Sequence, residues 1–235
     1  MKISVILPTY NESGNIVELV KAIIEMVPSE WDYEVIVVDD NSPDQTYNLV
    51  EKTFTEDDKI KAVLRLSDRG LAKSIRAGIE IAQGDKILVM DTDFTHDPSE
   101  IPKMITLSQL FDIVSGSRFC AGGSMENKGR YFMSLLFNWF TRIVLQTQIQ
   151  DNLAGFWMIS SDKIGSLPLE KIFSGYGDYF IALLFYAQRQ HMTIIEFPVY
   201  YANRTQGKSK SNFLKLLITY TKAIIELRIR YTFEK

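Results

Sequence analysis

The sequence predicts an α/β fold, a mostly parallel sheet with covering helices, and three observations carry that prediction. Through roughly the first hundred residues, short apolar runs alternate with stretches of helical spacing. The apolar runs are continuous, as strands buried on both faces are. Three of these strands end in polar, largely acidic clusters, where ligands sit in open parallel sheets.

The elements follow in order. Residues 3–7 form an apolar strand. Over 15–27, Ile16, Leu19, Val20, Ile23 and Ile24 recur at helical spacing. Residues 35–38 make a second buried strand, and Ser42-Pro43-Asp44 supplies helix-start chemistry for the stretch through Phe54. A third strand is expected over 60–66, a helix over 70–82 that Gly84 stops, and a fourth strand over 86–90. The second half is less regular. Pro98 fits the first turn of a helix reaching about Leu107. Ile113 and Val114 begin a short strand, 116–129 reads as a Gly-rich polar loop, and 131–145 as a strongly apolar helix. A strand over 156–159, a helix over 178–189 and a strand over 193–199 follow. A polar loop over 203–211 carries Arg204, Lys208 and Lys210, and an amphipathic helix spans 213–229. No repeat, low-complexity tract or linker is visible.

Composition excludes several classes. The 235 residues are 46% hydrophobic and 23% charged, an ordinary globular balance. A net charge of -3 lacks the basic signature of a nucleic-acid binder. Cys120 is the one cysteine and there are two histidines, which rules out an intrachain disulfide and an ordinary zinc site. No signal peptide and no uncharged apolar run of about 18 residues is seen, so neither a leader nor a spanning helix is expected.

The chemistry concentrates at strand ends. Asp91-Thr92-Asp93 follows the apolar run Ile87-Leu88-Val89-Met90. Carboxylates out of water need a partner cation. A divalent metal carrying a diphosphate supplies one, because Mg²⁺ is bound by one or two carboxylates plus phosphate oxygens. A solvated turn is the plain alternative. The first strand runs into Pro8-Thr9-Tyr10-Asn11-Glu12, a structural turn or an aromatic face and hydroxyl at the crevice. The second ends in Asp39-Asp40-Asn41-Ser42, a helix cap or an acceptor for a nucleobase or ribose. Strand-Asp-Asp also opens phosphorylated receiver domains, but those are roughly half this length. They also want an Asp ending the third strand, where Leu66-Ser67-Asp68 stands. His96 reads as a polar turn residue within reach of phosphate, and His191 as a helix-end residue.

Taken together, Val5-Ile-Leu-Pro-Thr-Tyr-Asn-Glu12, Val37-Val-Asp-Asp-Asn-Ser-Pro-Asp44, Arg69-Gly-Leu-Ala72 and Met90-Asp-Thr-Asp93 resemble the nucleotide-sugar domain of family 2 glycosyltransferases. Gly116-Ser-Arg118, Gly129-Arg-Tyr-Phe-Met-Ser134 with Asn138, Gly155-Phe156 and Arg204-Thr-Gln-Gly-Lys-Ser-Lys210 look most like the dolichol-phosphate (polyprenyl-phosphate) mannose synthase branch. The resemblance implies a Rossmann-like, glycosyltransferase A-type catalytic domain over 1–212, with a nucleotide-sugar half (1–115), an acceptor half (116–212) and an amphipathic helix over 213–235. It implies metal-dependent, inverting transfer of a hexose, mannose from GDP-mannose, to a polyprenyl or dolichyl phosphate. Pro8, Tyr10, Glu12 and Asp40 would line the base and ribose pocket with Asp39 beside them. Asp91 would serve ribose and metal, and Asp93 would ligate Mg²⁺ or Mn²⁺. Arg118, Arg130, Ser134 and Arg204, joined by Lys210, would hold acceptor phosphate and donor diphosphate. Thr95, Trp157 and Asn41 stand where that branch often has Gln or Ser, Arg, and Gly, which leaves the donor sugar open; the runner-up is a UDP-sugar-dependent glucosyl or N-acetylhexosaminyl transferase to polyprenyl phosphate or a glycan hydroxyl. Asp178 keeps a hydroxyl acceptor open as a base candidate, and a nucleotide-sugar-binding subunit without turnover is the reading from another class.

Two helices bear on membranes. The 131–145 helix is apolar nearly all round, with Arg130 and Arg142 near its ends. It suits a core position or a bilayer surface. The last helix sets Lys215, Lys222, Arg228 and Arg230 against an apolar face. That pattern fits a membrane surface, a membrane-anchor subunit or docking on the same domain. The expected location is the cytoplasm, peripheral at the cytoplasmic face of a membrane.

Overall fold

The computed structural model describes residues 1–175, 177–202 and 213–233. The first half runs β1 (Lys2–Thr9), α1 (Ile16–Met26), β2 (Asp32–Asp39), α2 (Thr46–Thr53), β3 (Ile60–Leu64), α3 (Leu71–Ile81) and β4 (Lys86–Val89). Then come α4 (Ile101–Ser108), β5 (Ile113–Ser117), β6 (Ser124–Met125), α5 (Lys128–Leu145) and β7 (Trp157–Ser160). The chain closes with α6 (Ser161–Gly165), α7 (Leu169–Ile172), α8 (Tyr179–Arg189), β8 (Ile194–Pro198), β9 (Tyr200–Tyr201) and α9 (Phe213–Phe233).

Seven strands form one sheet in the order β3-β2-β1-β4-β7-β5-β8. All neighbours are parallel except β7, which runs against both β4 and β5. The predicted α/β class and mostly parallel sheet are therefore what the chain adopts. Ile6 faces Ile36 on one side and Val89 on the other. Alternate side chains of β1 point to opposite layers. Ile3, Val5 and Leu7 pack on Ile16, Leu19, Val20 and Ile23 of α1 and on Ile101, Met104 and Ile105 of α4. Ile6 packs with Ile75 and Ile79 of α3 and with Leu183 and Leu184 of α8.

A third cluster joins Phe137 and Leu145 of α5, Ile181 and Phe185 of α8, and Ile224 of α9. Of the roles open to the last helix, docking on its own chain is thus realised, while Ile218, Ile225 and Ile229 stay exposed. One face of α5 is buried through Phe137, Asn138, Thr141 and Leu145. Its other face exposes Phe132, Met133, Leu135, Leu136, Trp139 and Ile143. No helix among the described residues is long and apolar enough to cross a membrane.

The second half departs from expectation in places. The stretch 116–129 is not one loop. β5 continues through Gly116 and Ser117, β6 pairs with β9, and α5 starts at Lys128. Gly116 is a packing residue, because a Cβ there would sit 3.0 Å from Val199 Cγ1. Asn127 caps α5 by accepting the Arg130 amide hydrogen at 2.9 Å. Pro98 opens a 3₁₀ turn (Pro98–Glu100) before α4, rather than the helix itself. β3 stops at Leu64, and α9 runs on to Phe233. Sequence reasoning also passed over α6 and α7, which are too short for a periodic signal.

The contact of α3 with β1 yields a prediction. A Cβ on Gly78 would lie 2.5 Å from Ile6 Cγ2 in the fully buried central strand. Alanine gains up to ~1 kcal/mol of helix propensity over glycine. Overpacking a stiff, β-branched neighbour costs about 1–3 kcal/mol. Gly78→Ala is expected to lower stability by roughly 1 kcal/mol or more, read as a lower urea midpoint at unchanged slope.

Candidate active site

The carboxyl ends of β1, β2 and β4 open onto a cleft of about 520 Å³. Pro8, Tyr10 and Glu12 line it from the loop after β1, Asp40 from that after β2, and Asp91 and Asp93 from that after β4. The start of α3 closes one wall with Arg69, Gly70 and Leu71. A second cavity of about 240 Å³ adjoins it, sharing Leu71, Asp91, Asp93 and Tyr220. Arg118, Arg130, Gly155, Tyr179 and Tyr201 line that second space. The two carboxylates therefore stand where the cavities meet.

Each acid of the first cleft is held in its own way. Asp40 takes a salt bridge from Arg65 and the Gly70 amide at 2.8 Å. Gly70 reaches it with φ at 152°, a conformation glycine adopts without a Cβ penalty. Arg69 lies 5.3 Å above the Tyr10 ring and donates to the Asn41 carbonyl at 3.1 Å. Asn41 has φ at 56°, in the left-handed region that asparagine tolerates and β-branched residues do not. Asp39 is absent from the cleft lining. Its carboxylate accepts from the Ser42 amide at 2.8 Å, from Ser42 Oγ at 2.5 Å and from Thr9 Oγ1 at 3.1 Å. Asp39 caps no helix, since α2 begins at Thr46; it braces the turn that presents Asp40. Asp44, further along the same loop, accepts from the Ser13 amide at 3.0 Å and the Thr46 amide at 3.1 Å. Burial opposes its charge, but hydrogen bonds from Thr46 and Ser13 hold it below the usual carboxylate range.

Asp93 is buried, and its Oδ1 accepts from the Thr95 amide at 3.1 Å and from Thr95 Oγ1 at 2.6 Å. Phe94 between them has φ at 59°, a strained state for a bulky residue. Thr95 thus supports Asp93 directly. Asp91 keeps 42% of its side chain exposed. No group of three or more His, Cys, Asp or Glu among the described residues could cage a metal. Two hard oxygen donors at a cleft instead fit Mg²⁺ or Mn²⁺ that arrives with phosphate oxygens completing its shell.

Arg118 lines the second cavity and is also tied to a carboxylate. It is 6% exposed, and its Nε and Nη2 donate to both oxygens of Asp151 at 2.8 and 2.7 Å. Asp151 is itself fully buried and backed by Glu196, which accepts its amide at 2.8 Å. Burial lowers the Arg118 pKa, but Asp151 outweighs it and keeps the guanidinium firmly charged. Asp151 takes the Nε/Nη2 edge, and Arg118 fixes positive charge in the cavity wall, 4.9 Å over the Tyr201 ring. Arg130 is exposed on the first turn of α5 and faces the second cavity. Ser134, one turn on, is half-buried and lines neither cavity. Arg204 and Lys210 lie outside the described residues. Asp178 lines a separate groove between α8 and α9.

Several site residues were missed from the sequence. Tyr220 reaches both cavities from α9, although helical spacing shows only an amphipathic segment there. Tyr179, Tyr201 and Asp151 belong to no short motif. His96 lies in the bend after β4 as expected, but it is buried and stacked on Phe156, and burial lowers its pKa. Trp157 points away from the site, fully buried and stacked on Phe180.

Residues 4–167 match the family model described as glycosyl transferase family 2. The dolichol-phosphate mannosyltransferase of Pyrococcus furiosus is 32% identical over 215 residues, 89% of this chain and 59% of that protein. The chain thus spans less than two thirds of that relative's length. The undecaprenyl-phosphate mannosyltransferase of Micrococcus luteus is 31% identical over 216 residues, 89% of this chain and 87% of that protein. In fold, the chain is similar to glucosyl-3-phosphoglycerate synthase of Mycobacterium tuberculosis, solved with Mn²⁺, UDP and glucosyl-3-phosphoglycerate. The TM-score is 0.72 at 18% identity, covering 96% of this chain and 79% of that one.

The Arg118–Asp151 pair makes a further prediction. Asp151→Asn leaves a buried guanidinium without its counter-charge and is expected to cost about 3–5 kcal/mol. The double variant Arg118→Met with Asp151→Leu should recover much of that loss, since buried pairs are replaced by apolar residues at little cost. Urea denaturation of the three proteins checks this.

Proposed function

The chain belongs to glycosyl transferase family 2, and from that premise we propose that it transfers a hexose, mannose from GDP-mannose, to the phosphate of a polyprenyl phosphate. The observation that carries this reading is the make-up of the second cavity. Apart from Asp91 and Asp93 it has no carboxylate among the described residues, while Arg118 and Arg130 both line it. A sugar hydroxyl would need a base to take its proton. A phosphate monoester loses its second proton near pH ~6 and is a charged nucleophile already. Asp178, the base candidate for a hydroxyl acceptor, faces another groove. The names of the Pyrococcus furiosus and Micrococcus luteus relatives support the same acceptor class.

In this reading Pro8, Tyr10, Glu12 and Asp40 take the base and ribose of the donor, with Asp39 holding the turn beneath Asp40. Asp91 and Asp93 hold Mg²⁺ or Mn²⁺ against the diphosphate, and Asp91 also serves the ribose. A bound ion supplies Lewis-acid stabilisation of the departing nucleoside diphosphate. Arg130, together with Arg204 and Lys210, holds the acceptor phosphate, for which planar guanidinium forks are suited, and Ser134, which lines neither cavity, stands one turn behind Arg130. Arg118 contributes its fixed charge to the wall between donor and acceptor. A phosphate oxygen forms its bond to the anomeric carbon as the bond from that carbon to the diphosphate breaks, in line and with inversion.

The exposed face of α5 extends the reading to a membrane. Phe132, Trp139 and Ile143 are each more than half exposed, with Arg130 and Arg142 at the flanks. Interfacial helices combine aromatic residues with flanking Arg in this way. A groove of about 460 Å³ lined by Phe119, Leu135, Leu136 and Trp139 lies alongside. The protein sits peripherally at the cytoplasmic face, with this surface against the bilayer that carries the lipid.

Three measurements test the proposal. Asp93→Ala is expected to cut metal-dependent turnover at least ~100-fold, given the several kcal/mol a catalytic metal supplies, while a cooperative melting transition persists at a somewhat lower temperature because Thr95 loses its acceptor. Full activity in that variant would sink the proposal. In a thermal-shift panel with Mn²⁺, GDP-mannose at a hundred times its Kd should stabilise the fold by about 2.7 kcal/mol. A larger rise with UDP- than with GDP-sugars would reassign the donor, and no product from purified protein, donor and polyprenyl phosphate would reduce it to a nucleotide-sugar-binding subunit. Replacing Phe132 and Trp139 by Ser should weaken sedimentation with anionic vesicles ~10-fold, by the apolar area withdrawn from the interface.

A further inference from the structure

Beside Asp91 stands a side chain that the proposed reaction leaves unused. His96 Nδ1 accepts the Asp91 amide hydrogen at 2.9 Å. In a neutral imidazole one nitrogen accepts and the other carries the hydrogen, so the hydrogen resides on Nε2. Nε2 is buried and has no hydrogen-bond partner among the described residues. Asp91 Oδ2 lies 3.9 Å from it, just beyond hydrogen-bond range.

The ring itself is immobilised. Phe156 stacks on it at 5.1 Å with 12° between the planes, and Tyr201 leans against it at 4.8 Å. Gly155 closes the remaining side. A Cβ there would come within 3.1 Å of His96 Cε1 and 3.3 Å of Asp91 Oδ1. The Asp91 carboxylate is by contrast partly exposed, and rotation about its terminal bond is soft. Closing the gap is therefore a turn of Asp91, not of His96.

We propose that His96 is the positioning residue for Asp91: Nδ1 anchors its backbone, and Nε2–H clamps its carboxylate when the metal and nucleoside diphosphate engage it. A buried donor without an acceptor is costly, so the hydrogen bond favours the ligand-bound arrangement over the empty one. Gly155 is the space that permits it. The inference rests on the proposed role of Asp91 toward the donor.

Two variants separate the nitrogens. His96→Asn retains an acceptor near Nδ1 and has nothing at Nε2, whereas His96→Gln carries an amide NH₂ toward the Nε2 position. Free Mn²⁺ is followed by electron paramagnetic resonance during titration with GDP and, separately, UDP. His96→Asn should weaken Mn²⁺ binding in the nucleotide complex by about 10- to 100-fold, the usual effect of losing a partner of a metal ligand. His96→Gln should restore most of it, and the KM for the donor should follow the same order with a smaller change in kcat. Equal Mn²⁺ affinity in wild type and His96→Asn overturns the inference. Wild type that binds Mn²⁺ with neither nucleotide overturns the functional reading and the inference with it. A measurement on the unmutated chain stands if both variants fold poorly. With only two histidines present, the Nε2-bound hydrogen of His96 can be assigned by NMR against a His191 variant. It should move downfield on adding Mg²⁺ with GDP, and an unmoved resonance in the bound state overturns the clamp.

Discussion

β1 lies between two parallel neighbours and under helices on both faces, and the site depends on that constraint. A parallel strand cannot return through a tight turn, so β1, β2 and β4 all end at the same edge, and each is followed by a helical segment. β1, β2 and β4 are adjacent, which brings the loops after Thr9, Asp39 and Val89 to one crevice. The chemistry was delivered to that edge by connectivity before any side chain was chosen.

Gathering acids there raises an electrostatic problem that the fold solves residue by residue. Asp39 is satisfied within its own turn, Asp40 by Arg65 and a glycine amide, and Asp93 by Thr95. Buried charges persist where such partners are complete. On the opposite wall the same rule holds Arg118, whose Nε and Nη2 donate to Asp151, with Glu196 behind. The strain at Phe94 sits in the middle of this arrangement, at the one turn that carries both candidate metal ligands.

α9 links site and surface. Its Ile224 fastens it to α5 and α8, its Tyr220 enters both cavities, and its Ile218, Ile225 and Ile229 remain outside. The apolar face of α5 is the other exposed surface of this part of the molecule. One face of α9 thus lies in the third core cluster while these isoleucines on the other are uncovered.

Much of this was legible in the chain itself. The strands and helices of the first hundred residues follow from apolar spacing, and the acidic strand ends follow from short motifs, because both signals are local. The later segments were harder to read. Gly116 looks like loop punctuation until Val199 and Phe156 are seen pressing on it. Arg118 shows no partner in its own stretch of sequence, and only the fold brings Asp151, 33 residues away, against its Nε and Nη2. His96 reads as a polar turn residue, with no sign that Phe156 and Tyr201 close over it. By itself the sequence determined the fold class, the family resemblance and the acids at the crevice, since these depend on periodicity and on contiguous residues. Only the tertiary structure decided which of those groups face the cavity and which brace it, because that depends on partners far apart in the chain competing for the same hydrogen bonds.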